Sequence, residues 1–122
     1  MATVLIVDDD PATRLLVRTV LSHAGHAVIE AGSGAEGLGA ASAERPDLIL
    51  LDLSMAAMSG AEFLRALRAD ANARATRVAL YTATPMNAAL RDFMEIYGVV
   101  AAIPKPSEPQ ELIAAVSSAI DD

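Results

Sequence analysis

Three consecutive carboxylates, Asp8-Asp9-Asp10, follow the short apolar run Val4-Leu5-Ile6-Val7. A fourth, Asp52, follows a second such run, Leu48-Ile49-Leu50-Leu51. Runs this apolar read as strands buried on both faces of a parallel sheet. In such sheets ligands bind outside the carboxyl ends of the strands. Acids gathered there raise one another's cost of ionising. A hard dication relieves that cost, and Mg2+ favours carboxylate oxygens while keeping several waters. The pattern predicts a magnesium site at the mouth of an α/β sheet.

Two further strand ends add chemistry to the same edge. Thr82-Ala83 follows the apolar run Val78 to Tyr81, and Lys105 stands between Pro104 and Pro106 after Val99 to Ile103. Lys105 is the only lysine beside eight arginines. An ammonium and a hydroxyl hydrogen-bond phosphoryl oxygens, and a carboxylate nucleophile forms an acyl phosphate. Asp10, directly before Pro11, reads instead as a helix cap.

The elements that must hold these residues alternate strand and helix. The expected strands are Val4 to Val7, Ala27 to Glu30, Leu48 to Leu51, Val78 to Tyr81 and Val99 to Ile103. The first expected helix opens at Asp10-Pro11, turns Leu15, Leu16, Val20 and Leu21 inward, and ends at Gly25. The second runs from about Ala35 to Ala43. The third follows Ser59-Gly60 with Phe63, Leu64 and Leu67 inward. The fourth runs from Met86 to Tyr97 and the fifth from Glu108 to Ile120. Five βα units with short links give an α/β fold, a five-stranded parallel sheet, doubly wound, with helices on both faces.

Composition narrows the function classes. The 122 residues suit one domain with its own core. The net charge is −7, from 16 acidic and 9 basic residues, which argues against nucleic acid and anionic membranes as partners. There is no cysteine, so thiolate and disulfide chemistry are excluded. No signal peptide or membrane-length apolar run is visible, and a cytoplasmic location is the expectation. His23 and His26 flank Gly25 and read as surface or dipole-facing histidines. Gly34, Gly37 and Gly39 do not make a phosphate loop. Met55, Met58 and Tyr81 read as packing residues, and Tyr97 as a candidate partner-facing aromatic.

In this combination the chain resembles a response-regulator receiver domain, the family of the chemotaxis response regulator. Asp8 and Asp9 match the family's acidic pair, Asp52 its phosphoacceptor, Thr82-Ala83 its Thr/Ser-Ala pair and Lys105-Pro106 its Lys-Pro pair. The resemblance covers the whole chain and implies one receiver domain over residues 1–122, without an output domain, in a flavodoxin-like strand order 2-1-3-4-5. It implies that Asp52 takes a phosphoryl group from a sensor histidine kinase, a phosphotransfer protein or a small phosphodonor. It implies Mg2+ held by Asp9, Asp8, Asp52 and the backbone carbonyl of Ser54. Lys105 and Thr82, with Ala83, would meet the phosphoryl group, and the bond before Pro106 would be cis. A downstream target or output domain would engage the face of the fourth helix, fifth strand and fifth helix.

Departures from the family pattern are specific. The loop Met55-Ala56-Ala57-Met58-Ser59-Gly60 lacks the usual proline and acidic cap, although Ser59 can cap the third helix. The switch position, usually Tyr or Phe, falls at Ala102. Ser54 and Thr84, which occupy the positions tuning acyl-phosphate hydrolysis, are neither acidic nor amide-bearing. Two other readings remain open on sequence. Asp8-x-Asp10 superficially matches a haloacid-dehalogenase phosphatase, but Ala12 stands where that motif wants Thr or Val. A flavodoxin-like cofactor-binding module is opposed by the acid-lined site.

Overall fold

A computed structural model describes residues 1–121; Asp122 lies outside the described residues. The strands are β1 (Thr3–Val7), β2 (Ala27–Ala31), β3 (Leu48–Leu51), β4 (Arg77–Thr82) and β5 (Ala101–Pro104). The helices are α1 (Pro11–His23), α2 (Gly34–Glu44), α3 (Gly60–Ala69), α4 (Ala88–Tyr97) and α5 (Pro109–Asp121). All strand pairs are parallel, in the order β2-β1-β3-β4-β5.

Side-chain alternation sorts the sheet into two cores. Leu5, Val7, Ile49, Leu51, Val78 and Leu80 face Phe63, Leu64 and Leu67 of α3 and Leu90 of α4. Val4, Ile6, Leu48, Leu50, Ala79 and Tyr81 face Val17 and Leu21 of α1 and Leu112 and Val116 of α5. The central strands are buried on both faces, which is why they carry unbroken apolar runs. Gly37 lets α2 lie close on β1: a Cβ there would come within 2.8 Å of Val7 Cγ2. Close packing accounts for that glycine. No helix among the described residues is long and apolar enough to cross a membrane.

Local signals set the helix ends. Asp10 caps α1, its carboxylate accepting from the Ala12 amide at 3.1 Å and the Thr13 hydroxyl at 2.8 Å. Those bonds hold its pKa below the ordinary 3.8, the Thr13 hydroxyl contributing most. Ser59 caps α3 in a capping box with Glu62, which replaces the missing acidic cap. Asn87 caps α4 by accepting from the Leu90 amide at 2.8 Å. Gly98 closes α4 in the left-handed region.

Three expectations are corrected. Leu15 and Leu16 do not point inward; they are 64% and 46% exposed. The buried stripe of α1 is Thr13, Val17 and Leu21, spaced four apart, and it leaves both leucines outside. Helix α4 begins at Ala88 and not Met86, because the Asn87 side chain caps it by accepting from the free Leu90 amide. Strand β5 begins at Ala101 and not Val99. Val100 still donates its amide to Val78 O at 2.9 Å, so the ladder starts there without a full strand.

Candidate functional site

Register brings the chemistry together. Val7 pairs with Leu51, Leu51 with Leu80, and Thr82 with Pro104. The residues just beyond these strand ends therefore emerge side by side at one edge. The ladder continues one step past the strands: the Asp8 amide donates to Ala31 O and the Asp52 amide to Val7 O, each at 3.1 Å.

Asp8 is fully buried and Asp52 nearly so, while Asp9 is exposed. One carboxylate oxygen from each lies within 4.8 Å of the others. Lys105 Nζ donates to Asp8 Oδ2 at 2.7 Å and lies 3.7 Å from Asp52 Oδ2. Burial pushes the Lys105 pKa down, but the Asp8 bond and charge, helped by Asp52, leave it above its ordinary 10.5. The ammonium also sits 5.7 Å over the Tyr81 ring, a cation–π contact. Three further oxygens are held by the backbone. Asp8 Oδ1 accepts from the Asp10 amide at 2.9 Å, Asp52 Oδ1 from the Ser54 amide at 3.1 Å, and Asp9 Oδ2 from the Ala56 amide at 3.3 Å.

Thr82 is buried at the end of β4. Its hydroxyl accepts from the Thr84 amide at 3.1 Å and meets the Thr84 hydroxyl at 3.2 Å. The Lys105 amide donates to Thr82 O at 3.0 Å. The Lys105–Pro106 peptide bond is cis. A cavity of about 360 Å³ opens beside these residues, lined by Thr82, Thr84, Met86, Ala102, Ile103 and Lys105 among others. Ala102, with its single methyl, leaves that space unfilled.

The same edge is matched in known proteins. A family model described as the response regulator receiver domain matches residues 4–117. The chain belongs to the response regulator receiver domain family. Among its relatives are PilH of Pseudomonas aeruginosa, 37% identical over 82 residues, 67% of this chain and 68% of PilH. Sporulation initiation phosphotransferase F of Bacillus subtilis is 32% identical over 93% of this chain and 89% of its own length. The DNA-binding response regulator MtrA of Mycolicibacterium smegmatis is 34% identical over 93% of this chain. This receiver domain spans about half the length of MtrA, 48%. The solved Vibrio cholerae chemotaxis protein CheY4 superposes with a TM-score of 0.90 at 31% identity, over 98% of both chains. At 24% identity, the receiver domain of the Pseudomonas aeruginosa sensor histidine kinase PA1611 shares the fold with a TM-score of 0.86; that structure has a magnesium ion coordinated in its active-site cleft.

As a receiver domain the chain is a phosphoacceptor module of two-component signalling, and the phosphatase and cofactor-binding readings are not favoured. The structure places Asp8, Asp9, Asp52, Thr82 and Lys105 at one edge, with Ala102 beside them across the cavity. Two contributors escape sequence reasoning. Tyr81 reads only as a packing residue, yet its ring supports the Lys105 ammonium. Arg14 reaches the main chain of Asp8 at 2.7 Å, and only its place one turn beyond the acidic run hints at that.

Proposed function

We propose that Asp52 accepts the phosphoryl group, from a phosphohistidine of a sensor kinase or phosphotransfer protein or from a small phosphodonor. The observation that carries this is the convergence of the Asp8, Asp9 and Asp52 carboxylates with Lys105 at the end of β3. The three carboxylates suit an oxygen-seeking dication, and Asp8, Asp9, Asp52 and the Ser54 carbonyl would hold Mg2+. Bound there, Mg2+ would neutralise charge on the phosphoryl oxygens.

The chain's own residues do the rest. An Asp52 carboxylate oxygen attacks phosphorus, and the bond from phosphorus to the donor nitrogen breaks with its electron pair leaving on the donor. The Ser54 amide holds the Asp52 carboxylate in place. The Lys105 ammonium is already 3.7 Å from Asp52 Oδ2 and stabilises charge arriving on the phosphoryl oxygens. The chain catalyses only its own phosphorylation and dephosphorylation. Residues 1–122 act as one receiver domain. The exposed Leu15 and Leu16, on the turns of α1 after Asp10, give a phosphodonor protein an apolar foothold beside the site.

Asp9 should matter more to Mg2+ than Asp10 does, since Asp10 is committed to the cap. In a Mg2+ titration followed by backbone amide shifts, Asp9→Asn should weaken binding sharply and Asp10→Asn little. Asp10→Asn should keep most of its stability, because Asn also caps well. The reverse order of Mg2+ affinities would refute the assignment.

Output has to proceed without a switch aromatic. A ligand shifts an equilibrium only through contacts that differ between two states. Thr82 is tied to Thr84, so a phosphoryl oxygen recruiting the Thr82 hydroxyl would pull on the loop ahead of Asn87 and α4. Beryllofluoride with Mg2+ should move amide shifts near Asp52 and from Thr82 into α4, and less at Ala101 to Ile103. Shifts centred on β5, with the loop after Thr82 unmoved, would contradict this route.

The cavity makes a further expectation. Ala102→Phe should place its ring in existing space, so stability in urea should change by less than about 1 kcal/mol, below the usual overpacking cost. A larger loss would mean the space is not available to a side chain on β5.

A further inference from the structure

Asp9 is the exposed member of the acid cluster, and its carboxylate is held weakly. Among the described residues its side-chain bond is the one from the Ala56 amide, at 3.3 Å. Its main chain is held differently. Arg14 Nη1 donates to the carbonyl of Asp8 at 2.7 Å. That oxygen lies in the plane of the Asp8–Asp9 peptide, so fixing it fixes the direction in which Asp9 leaves β1. The guanidinium is itself anchored. Its Nε meets Glu30 Oε1 at 3.3 Å, and Arg18 Nη1 holds Glu30 Oε2 at 2.9 Å. Gly32 leaves room for it: a Cβ there would sit 3.2 Å from Arg14 Nη1. The Arg14 side chain is 19% exposed and that of Arg18 57%, so the two arginines sharing Glu30 are not equivalent.

We propose that Arg14 is a positioning residue for the metal-binding turn, acting through the Asp8 carbonyl, with Glu30 as its anchor. The inference rests on the acid cluster being the Mg2+ site. Glu30 is shared by two guanidiniums and offsets the charge of Arg14 only in part. Loss of the Arg14 charge would by itself favour a cation, so weaker Mg2+ binding without Arg14 reads orientation and not charge. Partners of this outer kind, which hold a ligand and do not touch the metal, tune metal affinity strongly.

The test is a titration of the full chain with MgCl2 alone, followed by backbone amide shifts, with urea midpoints measured in parallel. Arg14→Met should bind Mg2+ about tenfold more weakly than the parent. Arg14→Lys, which can still donate to the Asp8 carbonyl, should recover part of that loss. Arg18 pairs with the same Glu30 but does not bond Asp8, and Arg18→Met should bind as the parent does. Parent-like affinity in Arg14→Met, or an equal loss in Arg18→Met, would overturn the proposal. Should Arg14→Met fold poorly, Glu30→Gln decides when titrated in about 0.5 M NaCl, where the charge it uncovers is screened: weaker Mg2+ binding than the parent in the same salt supports the role, and equal binding overturns it. A parent chain without Mg2+-dependent shifts at Asp8, Asp9 and Asp52 would overturn the metal reading, and this inference with it.

Discussion

Asp52→Asn should reduce phosphate incorporation to background, a loss of at least about a thousandfold in rate given that a carboxylate nucleophile is removed outright. The substitution is close to isosteric. The amide oxygen can still accept from the Ser54 amide, which lies 3.1 Å from Asp52 Oδ1 in the parent, so the β3–α3 loop should keep its shape. The side-chain amide cannot form an acyl phosphate. One negative charge also leaves a cluster of three acids within 4.8 Å of one another, which relieves repulsion. The variant should therefore be at least as stable as the parent in metal-free buffer. Intact mass after incubation with phosphoramidate and Mg2+, beside a urea melt, checks both halves. Equal incorporation in variant and parent would show that another residue is the acceptor.

Lys105→Met should have the second-largest effect, in three directions at once. Lys105 is the cation facing Asp8 and Asp52, at 2.7 and 3.7 Å. Asp8 is fully buried, and removing one partner of a buried pair leaves an uncompensated charge. The Lys105 side chain is 22% exposed, so the cost should fall below that of a sealed pair, at about 2 kcal/mol in metal-free buffer. Mg2+ should bind more tightly, because Nζ no longer competes for Asp8 Oδ2. Adding Mg2+ should accordingly restore much of the lost stability. Phosphorylation should nonetheless slow by about a hundredfold, the scale of losing one preorganised electrostatic donor. Unchanged stability together with unchanged Mg2+ affinity would show that the ammonium does not offset the acids.

The legible and illegible parts of this chain divide along physical lines. Strands buried on both faces announce themselves as unbroken apolar runs. Residues at the carboxyl end of such a run must lie at the shared edge, and so the grouping of Asp8, Asp9, Asp52, Thr82 and Lys105 could be expected from order alone. Helix α1 is harder. Apolar residues stand at 15, 16, 17, 20 and 21, which fits more than one stripe. The stripe that packs begins at Thr13, a polar residue held by the Asp10 cap, and it turns Leu15 and Leu16 to solvent. The start of α4 depends on a side chain, Asn87, competing for free amides where apolar periodicity suggests an earlier start. The Arg14 bond is illegible for another reason. Its acceptor is a main-chain carbonyl and its anchor lies 16 residues further on, and neither leaves a mark on local pattern. Ala102 is visible as a departure, but that its small side chain borders a cavity next to Thr82 and Lys105 is a fact of packing.

The most direct measurement of the central claim locates the phosphoryl group chemically. Phosphorylating the chain with phosphoramidate and Mg2+, reducing the acyl phosphate with borohydride and mapping the peptides by mass spectrometry marks the acceptor as homoserine. Homoserine is expected at position 52, with Asp8, Asp9 and Asp10 intact. Homoserine at any of those three, or phosphate retained on a hydroxyl that borohydride leaves untouched, would contradict it.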